Sequence, residues 1–272
     1  NIKSLNNQIS TNKNMNKQDI LQSKEPLLSN LLNKNKISSD IKENKDDDDC
    51  QHNPRLTKSV DIFSLGCVFS FILSNGEHPY GNRIFDQINK MQKEKPNLIH
   101  LDCIPEAKDL ISNMIKIDPN DRLKAKDCLY HPFFWDETTK LQFLFDVSDT
   151  IEKINPSNDI RVTIELASKK IIGNDWSIFV DKQLLIDSKK HRKYNLSSLR
   201  DYLRIIRNKY HHFGELNETL QKKLGSDDGS VNDVKFFRYF TNKVPKLVMY
   251  TYELFGSFWN SKKNARNLTK FK

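Results

Sequence analysis

Hydrophobic residues recur at helical spacing along residues 194–213, YNLSSLRDYLRIIRNKYHHF. Leu199, Leu203, Ile206 and Tyr210 follow one another at steps of four, three and four, which places them on one face of a helix. An amphipathic helix of this kind packs its apolar face on a core. We therefore expect the opposite, polar face to be exposed.

The rest of the sequence predicts an all-α protein. Residues 60–73 are apolar almost all round, which predicts a helix buried inside a domain. Residues 154–191 are polar and predict a looser segment, and no strand pattern of any length follows residue 55. Amphipathic patterns predict further helices at 105–117, 122–130, 141–153, 216–224 and 234–258.

Composition and charge divide the chain into regions. Residues 1–54 are rich in Asn, Lys, Ser and Gln and predict a disordered insert, and residues 257–272 predict a basic tail. Residues 181–272 carry 20 Lys and Arg against 9 Asp and Glu, whereas the rest carries 24 against 26. Such a basic third is typical of binding to RNA or to an anionic membrane surface, although a solvated basic surface has the same composition.

The sequence contains no pattern typical of a metal site, a disulfide framework or a membrane span. Its four cysteines form no CxxC motif and no cysteine–histidine pair, which favours a reducing compartment. No uncharged run reaches the ~18 residues of a spanning helix, and no signal peptide opens the sequence. The first residue is Asn, so we expect a fragment of a longer protein or a reading frame that lacks its start.

The polar face of the 194–213 helix carries the candidate chemistry. Arg204, Asn208 and His212 lie one above another at intervals of four residues, flanked by Arg207 and His211. Imidazole exchanges protons near neutral pH, and guanidinium and amide groups bind phosphate oxygens. These residue types together predict cleavage of a phosphodiester, although adjacent histidines on an exposed helix are more often plain surface residues.

Motifs on both sides of this helix resemble a known family. DIFSLGCVFSFILSNGEHPYG, the DPNDR loop and HPFFW resemble the end of a protein-kinase C-lobe. HPFFW then runs into LQFLFDVSD, YNLSSLRDYLRIIRNKYHHF and FFRYFTNKVPKLVMYTYELF, an order that resembles the kinase-extension nuclease domain. That domain occurs in the inositol-requiring-enzyme class of unfolded-protein-response sensors and in the 2-5A-dependent ribonuclease. The Glu-His-Pro-Tyr-Gly and Phe-Phe-Trp segments look closer to the sensor class.

The resemblance implies a partial kinase C-lobe at 55–136 and a helical nuclease domain at 137–256. Asp61 and Gly66 match the kinase helix whose buried aspartate holds the catalytic loop, and Arg122 matches a structural arginine of the lobe. The chain lacks the G-x-G-x-x-G, H-R-D, D-F-G and A-P-E segments, which bind ATP and magnesium and position a substrate hydroxyl. We therefore expect ATP and magnesium as cofactors only if a complete kinase domain lies upstream.

In the nuclease part, the resemblance implies a catalytic set of Tyr194, Arg207, Asn208 and His212. His212 is expected to protonate the departing 5′-oxygen, while Tyr194 accepts the 2′ proton or polarises the 2′-hydroxyl. Arg207 is expected to lower the pKa of Tyr194 and stabilise the phosphorane, and Asn208 to hold a non-bridging oxygen. RNA supplies its own nucleophile, so cleavage is expected to need no metal or cofactor and to leave a 2′,3′-cyclic phosphate and a 5′-hydroxyl.

Three further residues are candidates for RNA binding. Arg204 and Lys209 are expected to contact phosphates or to belong to a solvated face, and His211 to contact RNA or only to orient its neighbours. Asp201 is the single carboxylate that the sequence places near this row.

The family also implies partners and a location. Its two nuclease domains must come together to form a competent site, so we expect a homodimer, or a higher oligomer, that cuts stem-loop RNA. One alternative is a non-catalytic remnant that binds RNA or a partner. Another is the 2-5A-dependent ribonuclease type, which should carry ankyrin repeats that this chain lacks. The expected location is the cytosol, or the cytosolic face of the endoplasmic reticulum if a membrane-spanning part lies upstream.

Overall fold

The structure, a computed structural model, describes residues 58–93, 96–155 and 158–263, with only the backbone given for residues 92, 191 and 256–263. The predicted insert at 1–54 and most of the predicted tail at 257–272 lie outside these residues. The described part is mostly helical, which confirms the all-α prediction. The helices of the kinase-like part are α1 (Lys58–Leu73), α2 (Ile84–Gln92), α3 (Pro105–Met114) and α4 (Ala125–Leu129). Those of the nuclease-like part are α5 (Glu137–Lys153), α6 (Asp159–Ile172), α7 (Lys182–His191), α8 (Leu199–His211), α9 (Glu218–Lys223), α10 (Asp233–Thr241) and α11 (Leu247–Lys263).

Helix α1 packs closely on α3 because Gly66 carries no side chain. A Cβ atom at this position would lie 2.6 Å from Ile115 Cγ2 and 2.9 Å from Met114 Cβ. Contacts this short do not occur between real carbon atoms, so the two helices need a glycine at their crossing.

Arg122 holds the loop after α3 against the start of α1. Its guanidinium donates hydrogen bonds to the carbonyls of Ser59, Lys116 and Ile117 at 2.8, 2.6 and 2.9 Å. The same group lies over the ring of Phe63, 4.8 Å from its centroid. Arg122 therefore has a structural function inside this chain.

The outer face of α1 departs from the sequence prediction. Val60, Val68 and Phe71 expose 37, 47 and 49% of their surface, so the prediction of a helix buried all round is wrong. Asp61, which matches a buried aspartate of kinases, is also exposed. The reason is that α1 packs on α3 from one side, and no element of the described residues covers the other.

Helix α8 lies at the centre of the nuclease-like part, packed against α5 and α6. Leu199, Leu203 and Ile206 are each 1% exposed, which confirms the predicted apolar stripe. Helices α10 and α11 complete the core by packing on α5. The site residues on α8 are therefore carried by a helix that is packed into the core.

Two sequence predictions of helix extent are wrong. The segment 154–191 is not loose, because it contains α6 and α7. The predicted helix at 234–258 is two helices, α10 and α11, since Pro245 lies between them and disfavours helical conformation at the residue before it. The described residues also contain one short hairpin, strands β1 (Ser226–Asp227) and β2 (Ser230–Val231), which pair antiparallel.

Tyr252 of α11 joins the kinase-like and nuclease-like parts. Its ring lies 5.8 Å from His131, 5.8 Å from Trp135 and 6.2 Å from Phe143, measured between centroids. His131 and Trp135 precede α5, whereas Phe143 belongs to it, so one aromatic cluster spans the junction. None of the helices in the described ranges is both long and apolar enough to cross a bilayer.

Candidate active site

Trp176 is fully buried and holds the loop that carries Tyr194 in place. The indole nitrogen donates a hydrogen bond to the carbonyl of Asn195 at 3.1 Å, and the backbone N–H of Trp176 donates to the carbonyl of Leu196 at 2.9 Å. The indole also meets the ring of Tyr194 nearly at right angles, with 6.2 Å between centroids. Tyr194 is half-buried as a result, with its hydroxyl directed toward α8.

A chain of contacts connects that hydroxyl to α5. The Nδ2 of Asn208 donates to Tyr194 Oη at 3.2 Å, and the Oδ1 of the same amide accepts from Arg207 Nη1 at 3.3 Å. Arg207 Nε in turn forms an ion pair with Asp149. Because the guanidinium can only donate, it orients the Asn208 amide so that its NH₂ group faces the tyrosine.

Tyr194, Asn208 and His212 line one cleft, which has about 280 Å³ of space. Arg192 and Glu215 line the same cleft. Three of the four residues predicted to be catalytic therefore come together, although the tyrosine and the histidine are 18 positions apart in the sequence.

His212 lies at the open side of the cleft, with 62% of its side chain exposed. Its Nδ1 is 2.7 Å from Glu215 Oε1. A carboxylate beside Nδ1 accepts a hydrogen bond from it, so this contact keeps a proton on Nδ1 and leaves Nε2 as the nitrogen available to substrate. Glu215 had not been predicted from the sequence, although it lies only three residues after the histidine.

Arg207 does not line the cleft. Its side chain is engaged by Asp149 and Asn208, so it acts on the cleft through the amide. The expectation that it lowers the pKa of Tyr194 is also wrong. Burial raises that pKa above its ordinary value, and the opposing effects of Asn208 and of the nearby Arg192 do not reverse the shift. Tyr194 is therefore a neutral phenol at physiological pH.

Arg204 is buried, contrary to the predicted exposed face, with 7% of its side chain accessible. It pairs with Asp201, at 2.9 Å between Nη1 and Oδ1, and with Glu152 of α5. The predicted contact between Arg204 and RNA is incompatible with this enclosure. Asp201 does not stand alone either, since carboxylates from other helices reach α8.

Lys209 and His211 also differ from their predicted setting. Lys209 lines the cleft, but only 8% of its side chain is exposed and its Nζ lies 2.7 Å from Asp187 Oδ2. Burial alone would raise the pKa of Asp187, but the hydrogen bond from Lys209 holds that pKa below its usual range. His211 is exposed and lies away from the cleft lining, with its ring 5.5 Å from that of Phe145.

Arg192 is, like Glu215, a cleft residue that was not predicted from the sequence. It is the fourth residue of the basic run KKHRK, residues 189–193, which directly precedes Tyr194. That run was the available signal, because consecutive cations beside a candidate catalytic residue are typical of phosphate binding. Among the described residues, no group of three or more His, Cys, Asp or Glu side chains is arranged to hold a metal ion.

Known families match both parts of the chain. Residues 140–269 match the Ribonuclease 2-5A family, and residues 50–134 match the protein kinase domain. The chain is 37% identical over 206 residues to the serine/threonine-protein kinase/endoribonuclease IRE2 of Homo sapiens, which covers 74% of this chain and 22% of that protein. The chain belongs to the inositol-requiring kinase/endoribonuclease family.

Other members of this family are similarly related. The kinase/endoribonuclease IRE1b of Arabidopsis thaliana is 35% identical over 77% of this chain and 23% of that protein. The sensor for unfolded proteins in the ER, ire1, of Schizosaccharomyces pombe is 37% identical over 74% of this chain and 19% of that protein. The chain thus spans about a fifth of the length of the curated relatives it matches. The Ribonuclease 2-5A match includes α8 and the whole cleft.

Proposed function

We propose that this chain provides the endoribonuclease of an unfolded-protein-response sensor and that it cleaves RNA without a metal ion. The observation that carries the proposal is the shared cleft, in which Asn208 binds the hydroxyl of Tyr194 beside the imidazole of His212. The names of the relatives support the endoribonuclease class and the unfolded-protein setting.

The proposed reaction uses the 2′-hydroxyl of RNA as nucleophile. Its oxygen forms a bond to phosphorus while the bond from phosphorus to the 5′-oxygen breaks, and His212, in the form that carries a proton on both ring nitrogens, gives the leaving oxygen its Nε2 proton. Tyr194 acts as a neutral hydrogen-bonding group on the 2′-oxygen, because its raised pKa makes it a poor preformed base. Water in the open cleft takes the 2′ proton. The products are a 2′,3′-cyclic phosphate and a 5′-hydroxyl, and DNA is not cut because it has no 2′-hydroxyl.

Binding of the substrate is assigned to the cations at the cleft. Arg192 is exposed and lines the cleft, and we assign to it the binding of a phosphate next to the scissile one. We further propose that the active species is a homodimer that acts on stem-loop RNA at the cytosolic face of the endoplasmic reticulum.

Single-turnover cleavage of an end-labelled hairpin RNA in EDTA tests the chemistry, with the chain fused to a dimerising module. His212→Ala should lower the rate by ~10²- to 10⁴-fold and Asn208→Ala by ~10²-fold. The control is Asn242→Ala, which removes an exposed amide after α10 and should cut normally. A hairpin with deoxyribose at the cleavage position should resist the wild type.

Three results would refute the proposal. They are cleavage that depends on an added divalent ion, cleavage that persists in both active-site variants, or products with a 3′-hydroxyl end. If the dimerised wild type binds the hairpin without cutting it, the chain is the non-catalytic remnant instead.

A further inference from the structure

Asp201 is a buried carboxylate that accepts hydrogen bonds from two groups of different kinds and also lies 3.7 Å from Arg200 Nη2. Its Oδ2 accepts a hydrogen bond from the backbone N–H of Asn195 at 2.7 Å, and its Oδ1 accepts from Arg204 Nη1 at 2.9 Å. Only 5% of the Asp201 side chain is exposed. The carboxylate therefore joins α8 to the loop before it, directly after Tyr194.

Arg204 extends this connection to α5. Its second terminal nitrogen pairs with Glu152, so contacts run without interruption from α5 through Arg204 and Asp201 to the loop. Taking an arginine and an aspartate out of water is costly, and two well-packed apolar residues often stabilise a fold equally well. The pair is therefore poorly explained by stability alone.

The geometry points to Asp201 and Arg204 as positioning residues for Tyr194, an inference that rests on the proposed nuclease function. The peptide unit that joins Tyr194 to Asn195 is planar, so a bond to the Asn195 N–H fixes the carbonyl side of Tyr194 as well. Asp201 supplies that bond, and Trp176 holds the next carbonyl. The Cα of Tyr194 is thereby held in place, and the phenol can move only by rotation about the bonds of Tyr194 itself.

Such fixation matters because the phenol must meet the 2′-oxygen while also accepting from the Asn208 amide, 3.2 Å away. A displacement of ~1 Å at a reacting group can lower a rate by ~10²-fold. The Asp201–Arg204 pair acts at a distance from the RNA, and it holds one reacting group without touching the substrate.

A double-mutant cycle tests the inference in the dimerised chain. Asp201→Asn keeps the shape of the side chain but places an amide between Arg204 and the loop. We expect it to lower kcat by ~10- to 100-fold with little change in KM, and to leave binding of the non-cleavable deoxy-substituted hairpin unchanged. In the Tyr194→Phe background, where no hydroxyl remains to be positioned, the same change should lower kcat less than about twofold.

Equal losses of kcat in the two backgrounds would overturn the inference, because they would show a general structural effect. The control is Glu106→Gln, which breaks a partly buried ion pair with Lys140, 3.3 Å across, far from the cleft. It should leave kcat unchanged in either background. If Asp201→Asn does not fold, Glu152→Gln is tested in its place. Glu152 lies at the α5 end of the connection, and 35% of its side chain is exposed.

These outcomes are separate from failure of the proposed function. A wild type that does not cleave refutes the nuclease proposal. A wild type that cleaves, but whose Asp201 and Tyr194 changes are additive, refutes only the positioning function.

Discussion

Replacement of Tyr194 by Phe separates its chemistry from its packing. The phenol ring would still pack against Trp176, and only the hydroxyl and its bond from Asn208 would be lost. A neutral hydrogen bond contributes about 1 kcal/mol of net stability, which corresponds to a fall of ~2–4 °C in Tm for a domain of this size. Loss of a group that acts on the transition state should cost far more in rate, ~10²-fold or ~3 kcal/mol.

The pH dependence of the wild type distinguishes a phenol from a phenolate. With a pKa raised above its ordinary value of ~10, at most ~1 in 1,000 Tyr194 side chains is ionised at pH 7. If the phenolate were the base, the rate would rise about tenfold per pH unit up to that pKa. We expect no such rise between about pH 7.5 and 9.5, because the neutral form is the competent one.

Single-turnover cleavage and thermal unfolding should be measured on the same preparations. The matched control is Tyr239→Phe, since the Tyr239 hydroxyl accepts a hydrogen bond from the Asp181 N–H at 2.7 Å outside the cleft. It should lower Tm by a similar amount and leave cleavage intact. If Tyr194→Phe loses rate only in proportion to its lost stability, the tyrosine is a packing residue and the assignment is wrong.

Three further changes have expected outcomes. Gly66→Ala should destabilise the fold by about 1–3 kcal/mol in urea unfolding because its Cβ meets α3, whereas Gly214→Ala, with open space around it, should not. Arg207→Lys keeps the charge but loses the planar fork that binds Asp149 and the Asn208 amide together, so kcat should fall by about tenfold with Tm nearly unchanged. Burial, with the hydrogen bond to Asp233, raises the pKa of Tyr210 to about 12, so its contribution to the free energy of unfolding should be complete below pH ~10 and lost as pH rises toward 12. Tyr210→Phe should flatten that alkaline decline in urea titrations.

The predicted stripe on α8 was confirmed because it is a local property. Leu199, Leu203 and Ile206 repeat at helical spacing, and one helix face is enough to define them. The cleft set is also close in sequence, since Asn208 and His212 are one turn apart and Tyr194 precedes the same helix. Proximity in a motif therefore carried over into proximity in space.

The burial of Arg204 and Lys209 was not predictable in the same way. Their partners Glu152 and Asp187 come from other helices, 52 and 22 positions away. From the sequence alone, a cation on the polar face of a helix is expected to be exposed, because a carboxylate that pairs with it only in the folded chain cannot be identified. The sequence alone showed a polar face, and the tertiary structure turned part of it into buried ion pairs.

Helices α6 and α7 were missed because each has a serine inside its apolar stripe. Ser168 lies between Ile164 and Ile172 at helical spacing, and Ser188 follows Leu184 in the same way. Both serines are nearly fully buried. Each donates its hydroxyl to the carbonyl four residues earlier, at 3.1 and 2.6 Å, which satisfies the hydroxyl without solvent.

The aromatic cluster around Tyr252 limits where the nuclease can be excised. A cut before Glu137 would remove His131 and Trp135 and leave half of a packed aromatic surface facing water. A shortened protein that starts at α5 should therefore be less soluble and less stable than one that begins before Pro105. The boundary that the sequence predicts between residues 136 and 137 therefore passes through a packed aromatic cluster.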